Sequence, residues 1–295
     1  MNGKIVLAGG TGFIGSFLGQ RYHELGYEVI HISRKPQHIA WHNRKAIIEA
    51  LEGAELLINL AGKSVNCRYH KRNRKQIFDS RTETTHALGE AVQACSLPPK
   101  LWINASTATI YRHAEDRPMT ESEGELGSGF SVEVAKAWEG AFFSYKLPGT
   151  RQAALRIAIT LGKDDGGVMT PYKYLAKFGL GGKQGSGKQM FSWIHVEDLF
   201  QILLFLQSRE DLSGVFNCAA PEPVPNRVFM EKLRKAMGIS FGMPAARWML
   251  EVGAFALRTE TELLLKSRWV LPDRLLNNGY SFRYPTLAEA LEELI

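Results

Sequence analysis

The fold is decided by the stretch Lys4-Ile5-Val6-Leu7-Ala8-Gly9-Gly10-Thr11-Gly12-Phe13-Ile14-Gly15. Its apolar start predicts a buried β-strand, and helical spacing over residues 13 to about 25 predicts an amphipathic helix directly after it. Gly9 allows the tight turn out of the strand, Gly12 leaves room for a pyrophosphate, and Gly15 lets the helix lie close on the sheet. The N–H groups at the helix N-terminus would face the phosphates. This strand, glycine-rich turn and helix therefore predict a dinucleotide-binding site.

The next predicted strand indicates which dinucleotide the site would take. It runs through Tyr27-Glu28-Val29-Ile30-His31-Ile32 and ends in a basic turn that contains Ser33, Arg34 and Lys35. An acidic residue in this turn would hydrogen-bond the ribose 2′-hydroxyl of NAD, whereas an arginine accommodates the 2′-phosphate of NADP. A guanidinium can also bind a phosphate through two parallel hydrogen bonds. The turn therefore predicts NADP(H), and the alternative is that Arg34 is an incidental surface residue.

The overall composition is that of an ordinary globular protein. Its 295 residues correspond to one large domain or two modest ones. No apolar run approaches the roughly 20 residues needed to cross a bilayer, and a first strand at Lys4 would leave no room for a signal peptide. The three cysteines, Cys67, Cys95 and Cys218, are far apart and predict neither a disulfide framework nor a metal site. We therefore expect a soluble, cytoplasmic protein with no membrane contact and no metal.

The net charge of +6 is unevenly distributed along the chain. Between residues 63 and 81 one acid, Asp79, stands among the basic residues Lys63, Arg68, Lys71, Arg72, Arg74, Lys75 and Arg81. This basic segment is either a solvated helix face or an attraction for an anionic ligand. Because no nucleic-acid module is visible and the segment lacks interleaved aromatics, we expect no nucleic-acid partner.

Strands and helices alternate through the first part of the chain, which predicts a Rossmann-type doubly wound parallel sheet. Further strands are predicted at 55–62, 100–105 and 152–161, and further helices at 45–53, 69–94 and 130–145. Hydroxyl side chains between Ser106 and Tyr111 follow one of these strands, at the edge where such sheets bind ligands. The alternative is that they are turn residues that satisfy local backbone groups.

Two single residues have both a structural and a functional interpretation. Arg156 lies inside a predicted strand, where it is either paired in the core or directed at the cofactor. His195 is a candidate catalytic group. The favoured interpretation is a histidine at the start of a helix that is satisfied by its neighbours, because one histidine without a partner is not a mechanism.

The composition changes after Pro221. Two predicted helices, at 229–237 and 248–257, carry aromatic and aliphatic stripes for which we expect a core role. We divide the chain into an NADP-binding domain, residues 1–162 plus about 190–220, and a smaller substrate-side lobe, about 163–189 and 221–295.

These motifs resemble those of the extended short-chain dehydrogenase/reductase superfamily, which contains the nucleotide-sugar epimerases and dehydratases. The resemblance is carried by Gly9 to Gly15, Asn59-Leu60-Ala61-Gly62, Ser106 to Tyr111, Leu155-Arg156 with Leu161-Gly162, and Trp193-Ile194-His195-Val196-Glu197-Asp198. More narrowly, the chain resembles the atypical subgroup usually labelled "epimerase family protein", which ends in a domain of unknown function. That resemblance is carried by Ser33-Arg34-Lys35-Pro36, Ser80-Arg81, Trp138-Glu139, Gly179-Leu180-Gly181-Gly182, and Val270-Leu271-Pro272 through Tyr284-Pro285-Thr286-Leu287.

The resemblance implies roles for individual residues. The pyrophosphate would be held by Gly9, Thr11, Gly12, Phe13, Ile14 and Gly15, and the 2′-phosphate by Ser33 with Arg34. Other parts of the cofactor would be contacted by Leu60, Ala61, Gly62, Gln76, Arg81 and, near the nicotinamide, Thr160. Thr107 aligns with the catalytic Ser/Thr that binds the substrate oxygen. By analogy with the superfamily, the helices near 69–94 and 130–145 would pair in a homodimer.

The chain departs from the superfamily at the catalytic Tyr-x-x-x-Lys pair. Counting back from Glu139 places Ser131 and Ala135 at the positions of the tyrosine and the lysine. The tyrosine carries the proton during hydride transfer, and the lysine lowers its pKa, so neither replacement can perform these tasks. Lys136 is one place late and would point about 100° away on a helix. Tyr111 is the candidate substitute acid.

Two hypotheses follow. In the first, the protein is an NADP(H)-dependent oxidoreductase or epimerase-like enzyme with altered proton delivery, acting on a small polar or anionic substrate. Thr107 and Tyr111 are then the candidate catalytic residues. In the alternative, it is a non-catalytic NADP(H) redox sensor or regulatory protein. The missing pair favours the alternative, whereas the Thr107 hydroxyl and a full second lobe favour the enzyme, since a sensor has little need of a substrate cleft.

Overall fold

The computed structural model describes residues 2–163, 167–256, 260 and 262–295. In chain order its strands are β1 (Asn2–Ala8), β2 (Tyr27–Ile32), β3 (Leu56–Asn59), β4 (Leu101–Thr107), β5 (Arg151–Ile157), β6 (Ile159–Leu161), β7 (Met190–Phe191), β8 (Trp193–His195), β9 (Gly214–Cys218) and β10 (Val224–Pro225). Its helices are α1 (Phe13–Glu24), α2 (Arg44–Leu51), α3 (Lys71–Gln93), α4 (Phe130–Phe143), α5 (Met169–Lys177), α6 (Val196–Ser208), α7 (Asn226–Ala236), α8 (Arg247–Ala256), α9 (Glu262–Leu265), α10 (Asp273–Asn277) and α11 (Leu287–Leu294).

Six of these strands form a parallel sheet in the order β2-β1-β3-β4-β5-β9. From β1 the chain moves to β2 on one side and then to β3 on the other, so the direction of winding reverses between β1 and β3. In doubly wound sheets, ligands bind outside the carboxyl ends of the strands at this reversal. The predicted Rossmann-type parallel sheet is confirmed, and the ends of β1 and β3 are where a ligand is expected.

Helices cover both faces of the sheet, which explains why β1 is apolar along its length. Ile5 and Leu7 belong to a core that includes α1 and α6, whereas Val6 and Ala8 belong to a core that includes α2, α3 and α4. Alternate residues of a strand point to opposite faces, so a strand that is covered on both sides shows no polar alternation.

A separate core lies beside the sheet and joins α5, α7 and α11 to β7 and β8. Three aromatic side chains, Tyr172, Phe191 and Phe229, pack against one another in it. The stripe predicted at 229–237 is buried here, with Phe229, Met230 and Leu233 all 0% exposed. The core role predicted for that helix is therefore confirmed.

Two of the predicted elements are wrong in detail. The strand predicted over 152–161 is two strands, because after Ala158 the chain leaves the sheet and β6 pairs with β8 instead. The stripe predicted at 248–257 begins on α8, where Trp248 is 66% exposed and not in a core. An apolar face in the sequence does not reveal whether another element covers it. The predicted end of that helix, Leu257, lies outside the described residues.

None of the helices that the structure describes combines the length and the apolar character needed to span a bilayer. Within the same residues, no three His, Cys, Asp or Glu side chains are grouped so that they could hold a metal ion.

Candidate functional site

The glycine-rich turn brings the end of β1, the end of β3 and the start of α1 into close contact. Gly9 has φ +76°, and a Cβ there would lie 2.5 Å from the Ala61 Cα atom. A Cβ at Gly15 would lie 2.4 Å from the Gly10 Cα atom. Real Cβ atoms do not approach backbone so closely, so any larger residue at Gly9 or Gly15 would push these elements apart.

Gly12 is different, because the space beside it is open. A Cβ at this position would meet no atom of the described residues within 4 Å. Gly12 is the N-cap of α1, and no side chain caps the helix there. The first N–H groups of a helix have no partner within the helix, and the first turn of α1 contains no acidic residue. This open, uncapped helix end therefore fits a phosphate or pyrophosphate.

A cavity of about 450 Å³ opens in front of the turn, at the carboxyl edge of the sheet. Nine of the predicted site residues line it, namely Gly9, Gly12, Phe13, Ile14, Gly15, Leu60, Arg81, Thr107 and Thr160. Seven others do not line it, namely Thr11, Ser33, Arg34, Ala61, Gly62, Gln76 and Tyr111. Gln76 is exposed on α3, whereas its neighbour Ile77 faces the cavity.

The basic turn after β2 lies directly next to the glycine-rich turn. Gly9 N–H donates to the carbonyl of Ile32 at 2.9 Å, so Ser33 and Arg34 follow immediately after this contact. Ser33 is buried, and its hydroxyl contacts His38 Nδ1 at 2.8 Å and accepts from Lys35 N–H at 3.0 Å. Arg34 is exposed and makes no ion pair with a described residue. Ser33 thus shapes the turn, and the Arg34 side chain is available to a ligand.

Of the basic side chains in the segment 63–81, Arg81 alone lines the cavity, as judged from the described residues. Its guanidinium donates to the carbonyls of Lys63 and Ile77 and lies 5.0 Å from the centre of the Trp138 ring. Burial lowers its pKa to about 10, so the side chain remains charged at neutral pH. No described carboxylate forms an ion pair with it. Gly62 lies against this guanidinium, because a Cβ there would be 3.0 Å from the Arg81 Cζ atom.

Thr107 lies at the end of β4 with its hydroxyl at the cavity. Its Oγ1 accepts a hydrogen bond from Thr109 N–H at 3.1 Å and caps the short 3₁₀ helix Ala108–Ile110. The hydroxyl proton has no acceptor among the described residues. Thr107 therefore serves the local turn and can also donate a hydrogen bond into the cavity.

One face of α4 forms the opposite wall. Ser131, Val134, Ala135 and Trp138 all line the cavity, at a spacing that places them on one side of a helix. Lys136 points elsewhere, and its ammonium donates to the carbonyl of Gly127. The two positions that carry the tyrosine and lysine of the superfamily pattern therefore do face the cavity, but they hold a serine and an alanine.

Tyr111 and Arg156 belong to a buried network. Arg156 Nε and Nη2 donate to the two carboxylate oxygens of Glu139 at 2.9 and 2.8 Å. Its Nη1 donates to the Tyr111 hydroxyl at 2.8 Å. That hydroxyl also lies 2.9 Å from Asn217 Oδ1 and 3.1 Å from the carbonyl of Thr120, so its proton is already shared. Of the two interpretations of Arg156, the structure selects the core pair.

His195 is the N-cap of α6. Its Nδ1 accepts from Glu197 N–H at 3.2 Å, and its Nε2 contacts Glu293 at 3.1 Å. Burial lowers its pKa, although Glu293 opposes the shift. The favoured interpretation, a histidine satisfied by its neighbours at a helix start, is confirmed.

Sequence reasoning missed Tyr69, which lines the cavity, and two glutamates, Glu260 and Glu262, that bind residues lining it. Tyr69 lines it from the segment before α3, and its backbone N–H donates to Glu260 Oε1 at 2.7 Å. Glu262 accepts a hydrogen bond from Ser131 Oγ at 3.1 Å. No periodic pattern marks these contacts, because they join parts of the chain that are far apart in sequence.

A phosphate-sized space at an uncapped helix end, located where the winding of the sheet reverses, defines the class: this is a Rossmann-type dinucleotide-binding protein. Comparisons with known proteins identify the family. The model of the NAD dependent epimerase/dehydratase family matches residues 5–133, and that of a domain of unknown function (DUF1731) matches residues 245–294. The chain is 32% identical to the epimerase family protein SDR39U1 of Homo sapiens, over 99% of both chains.

Other relatives agree with this match. Epimerase family protein SAR0825 of Staphylococcus aureus is 31% identical, again over 99% of both chains. The crystal structure of human SDR39U1 (isoform2) with NADPH has a TM-score of 0.88 and 32% identity, and the match covers 99% of this chain and 98% of that one. The chain belongs to the NAD dependent epimerase/dehydratase family, as one of the epimerase family proteins that end in DUF1731.

Proposed function

We propose that the protein is an NADP(H)-dependent oxidoreductase or epimerase-like enzyme that acts on a small polar substrate. The observation that carries the proposal is the shape of the cavity. It runs from the uncapped end of α1 past Arg81 to Thr107 and the α4 wall, so it joins the proposed phosphate-binding end to a wall that carries a hydroxyl. A binding site for the cofactor alone would not need the hydroxyl at its far end.

The choice of NADP(H) rests on the basic turn and on the relative. Arg34 is exposed in the basic turn, which lies next to the glycine-rich turn. The basic turn contains no acidic residue that could bind a free ribose 2′-hydroxyl. The structure of human SDR39U1 contains NADPH. In this proposal Gly9 to Gly15 hold the pyrophosphate, Arg34 the 2′-phosphate, and Leu60, Arg81 and Thr160 the remainder. When bound, NADPH supplies a hydride.

We expect Arg34→Ala to weaken NADPH binding by about tenfold or more, since a hydrogen bond to a charged group contributes about 1.5–3 kcal/mol. NADH has no 2′-phosphate, so its dissociation constant should change less than about twofold. Fluorescence titration of both nucleotides measures the difference. Lys45→Ala, at an equally exposed basic residue on α2, serves as the control. Equal losses for NADPH and NADH would reject the assignment of the 2′-phosphate to this turn.

The substrate is proposed to lie between the sheet domain and the smaller lobe, residues about 163–189 and 221–295. Support comes from Glu260 and Glu262, which reach back from the lobe to Tyr69 and Ser131 at the cavity. Thr107 would donate a hydrogen bond to the substrate oxygen. Because Tyr111 is buried and its proton is shared, we propose a structural role for Tyr111 instead of the proton donor.

Thr107→Ala is expected to lower turnover by about 100-fold, the usual effect of removing a donor to a developing oxyanion. NADPH affinity should stay within about twofold, because the predicted cofactor contacts lie elsewhere. Thr107→Ser keeps the hydroxyl and the hydrogen bond from Thr109, so it should recover most of the rate. The assay follows the absorbance of NADPH after adding a deproteinised metabolite extract. An unchanged rate for Thr107→Ala would remove this residue from the proposed mechanism.

The same assay distinguishes the enzyme from the alternative, a redox sensor or regulatory protein. Sustained loss of NADPH at catalytic protein concentrations supports an oxidoreductase. Tight NADPH binding without loss of NADPH or rearrangement of any sugar in the extract would support the sensor. Rearrangement of a sugar without net loss of NADPH supports the epimerase-like reaction.

The homodimer through α3 and α4 stays a prediction.

A further inference from the structure

The superfamily pattern leaves a specific gap in this site. On the α4 wall, the positions of the missing tyrosine and lysine are occupied by Ser131 and Ala135. Neither side chain can supply a proton at neutral pH. If the site reduces a substrate, a side chain from a different element must supply the proton.

Tyr69 is the candidate for this role. Its side chain lines the same cavity as Thr107 and Ser131. The ring packs edge-on against Phe130, with the ring centres 5.1 Å apart, and Phe130 is held in turn by the Arg74 guanidinium at 4.4 Å. The Ser131 hydroxyl is a polar neighbour of the Tyr69 phenol. A phenol thus stands next to the position that the superfamily tyrosine would occupy, although it comes from the segment before α3.

We propose that Tyr69 is the proton donor of this site. The inference rests on the proposed function. Among the described residues that line the cavity, Tyr69 and Arg81 have the ionisable side chains, and of these two only Tyr69 is an acid. Ser131, which lines the same cavity, donates to Glu262 Oε2 at 3.1 Å, and the Glu262 side chain is 39% exposed, so this end of the site is open to solvent. Glu260 fixes the Tyr69 backbone by accepting from its N–H.

The reaction balances as the reduction of a carbonyl compound. When bound, NADPH supplies the hydride, so one carbonyl, one NADPH and one proton become one alcohol and NADP⁺. The Tyr69 O–H bond breaks as the substrate oxygen gains its proton. A proton from solvent then restores the Tyr69 hydroxyl. Thr107 holds the substrate oxygen through a hydrogen bond.

The surroundings of Tyr69 suit an acid more than a base. Burial raises the pKa of its hydroxyl, and the carboxylates of Glu262 and Glu260 and the Cys67 thiol raise it further, while Ser131 opposes the shift. The hydroxyl is therefore protonated at neutral pH. Arg81 lines the same cavity and carries a positive charge there, which Ala135 cannot provide. The Tyr69 phenol is thus in the protonated state that the reduction of a carbonyl needs.

The first test needs no substrate. Protein containing tyrosine labelled with ¹³C at Cζ gives one resonance per tyrosine, and Tyr69→Phe identifies the one from Tyr69. We expect NADPH to shift this resonance. Adenosine 2′,5′-bisphosphate, which lacks the nicotinamide half, should leave the resonance unshifted. Ser131→Ala should shift it in the free protein, because the phenol loses a polar neighbour. A Tyr69 resonance whose chemical shift changes neither with NADPH nor in Ser131→Ala would overturn the proposal.

The second test uses the NADPH assay with the metabolite extract. Tyr69→Phe should lower kcat by about 100-fold or more, the scale of general acid catalysis, with NADPH affinity unchanged. Tyr174→Phe on α5, where the side chain is 57% exposed, should match the wild type. A Tyr69→Phe protein as active as the wild type, or a loss found only in Tyr111→Phe, would overturn the role of Tyr69 and leave the proposed function standing. A wild-type protein that binds NADPH without turnover would overturn the proposed function itself.

Discussion

Gly12→Val should fold normally and lose NADPH binding by about 100-fold or more, which corresponds to about 2.7 kcal/mol. The backbone at Gly12 has φ −92° and ψ 179°, an extended conformation that any residue adopts. Within the described part of the chain, a Cβ there meets no atom within 4 Å. The added side chain would therefore cost little in folding and would occupy the space in front of the uncapped helix end, where the pyrophosphate is proposed to bind.

Gly15→Val is the matched contrast. Its Cβ would lie 2.4 Å from the Gly10 Cα atom, so the helix could not keep its position against the turn. Overpacking of this kind typically costs about 1–3 kcal/mol and occasionally more. We expect a lower urea midpoint for Gly15→Val and a wild-type midpoint for Gly12→Val. If Gly12→Val binds NADPH as tightly as the wild type, the pyrophosphate does not lie at this helix end.

Arg156→Leu is expected to lower the free energy of unfolding by about 3–5 kcal/mol, the usual cost of leaving one member of a buried ion pair alone. Arg156 and Glu139 are only 8% and 9% exposed, and the pair is bidentate. Burial by itself lowers the pKa of Arg156, but the hydrogen bonds and charge of Glu139 more than offset this and raise it. Removing the guanidinium also takes a donor from the Tyr111 hydroxyl.

The control for this prediction is Arg112→Leu. Arg112 also forms a two-oxygen pair, with Asp116, but the Asp116 side chain is 62% exposed. Exposed pairs typically contribute less than about 1 kcal/mol, so the control should unfold near the wild-type midpoint. Chemical denaturation followed by circular dichroism measures both variants. If the two variants lose similarly small amounts of unfolding free energy, the buried Arg156 pair contributes no more to stability than the exposed Arg112 pair.

Local patterns were sufficient to predict the fold class and the glycine-rich turn between β1 and α1. The apolar run of β1, the glycine spacing and the helical spacing of α1 are each confined to about a dozen neighbouring residues. The basic turn could be placed because it follows the next strand directly. Elements of this kind are predictable since strand, turn and helix geometry depend mainly on residues close in the chain.

The sequence also showed which residues replace the superfamily tyrosine and lysine, because Ser131 and Ala135 lie on the same face of one helix. It did not distinguish the roles of Tyr111 and Tyr69. Tyr111 follows the expected strand, yet its hydroxyl is taken by Arg156 and Asn217. Tyr69 belongs to no recognisable motif, yet it reaches the cavity.

The sequence alone was enough to predict the parallel sheet, the glycine-rich turn and the absence of the Tyr-x-x-x-Lys pair. The packing of the folded chain was needed to show that Arg156 is paired in the core, that Trp248 is exposed, and that Tyr69 and Ser131 line the same cavity. The Tyr69 contact with Glu260 joins residues 191 positions apart. Such contacts depend on how whole elements pack against one another, and no local periodicity records which distant residue will fill a given space.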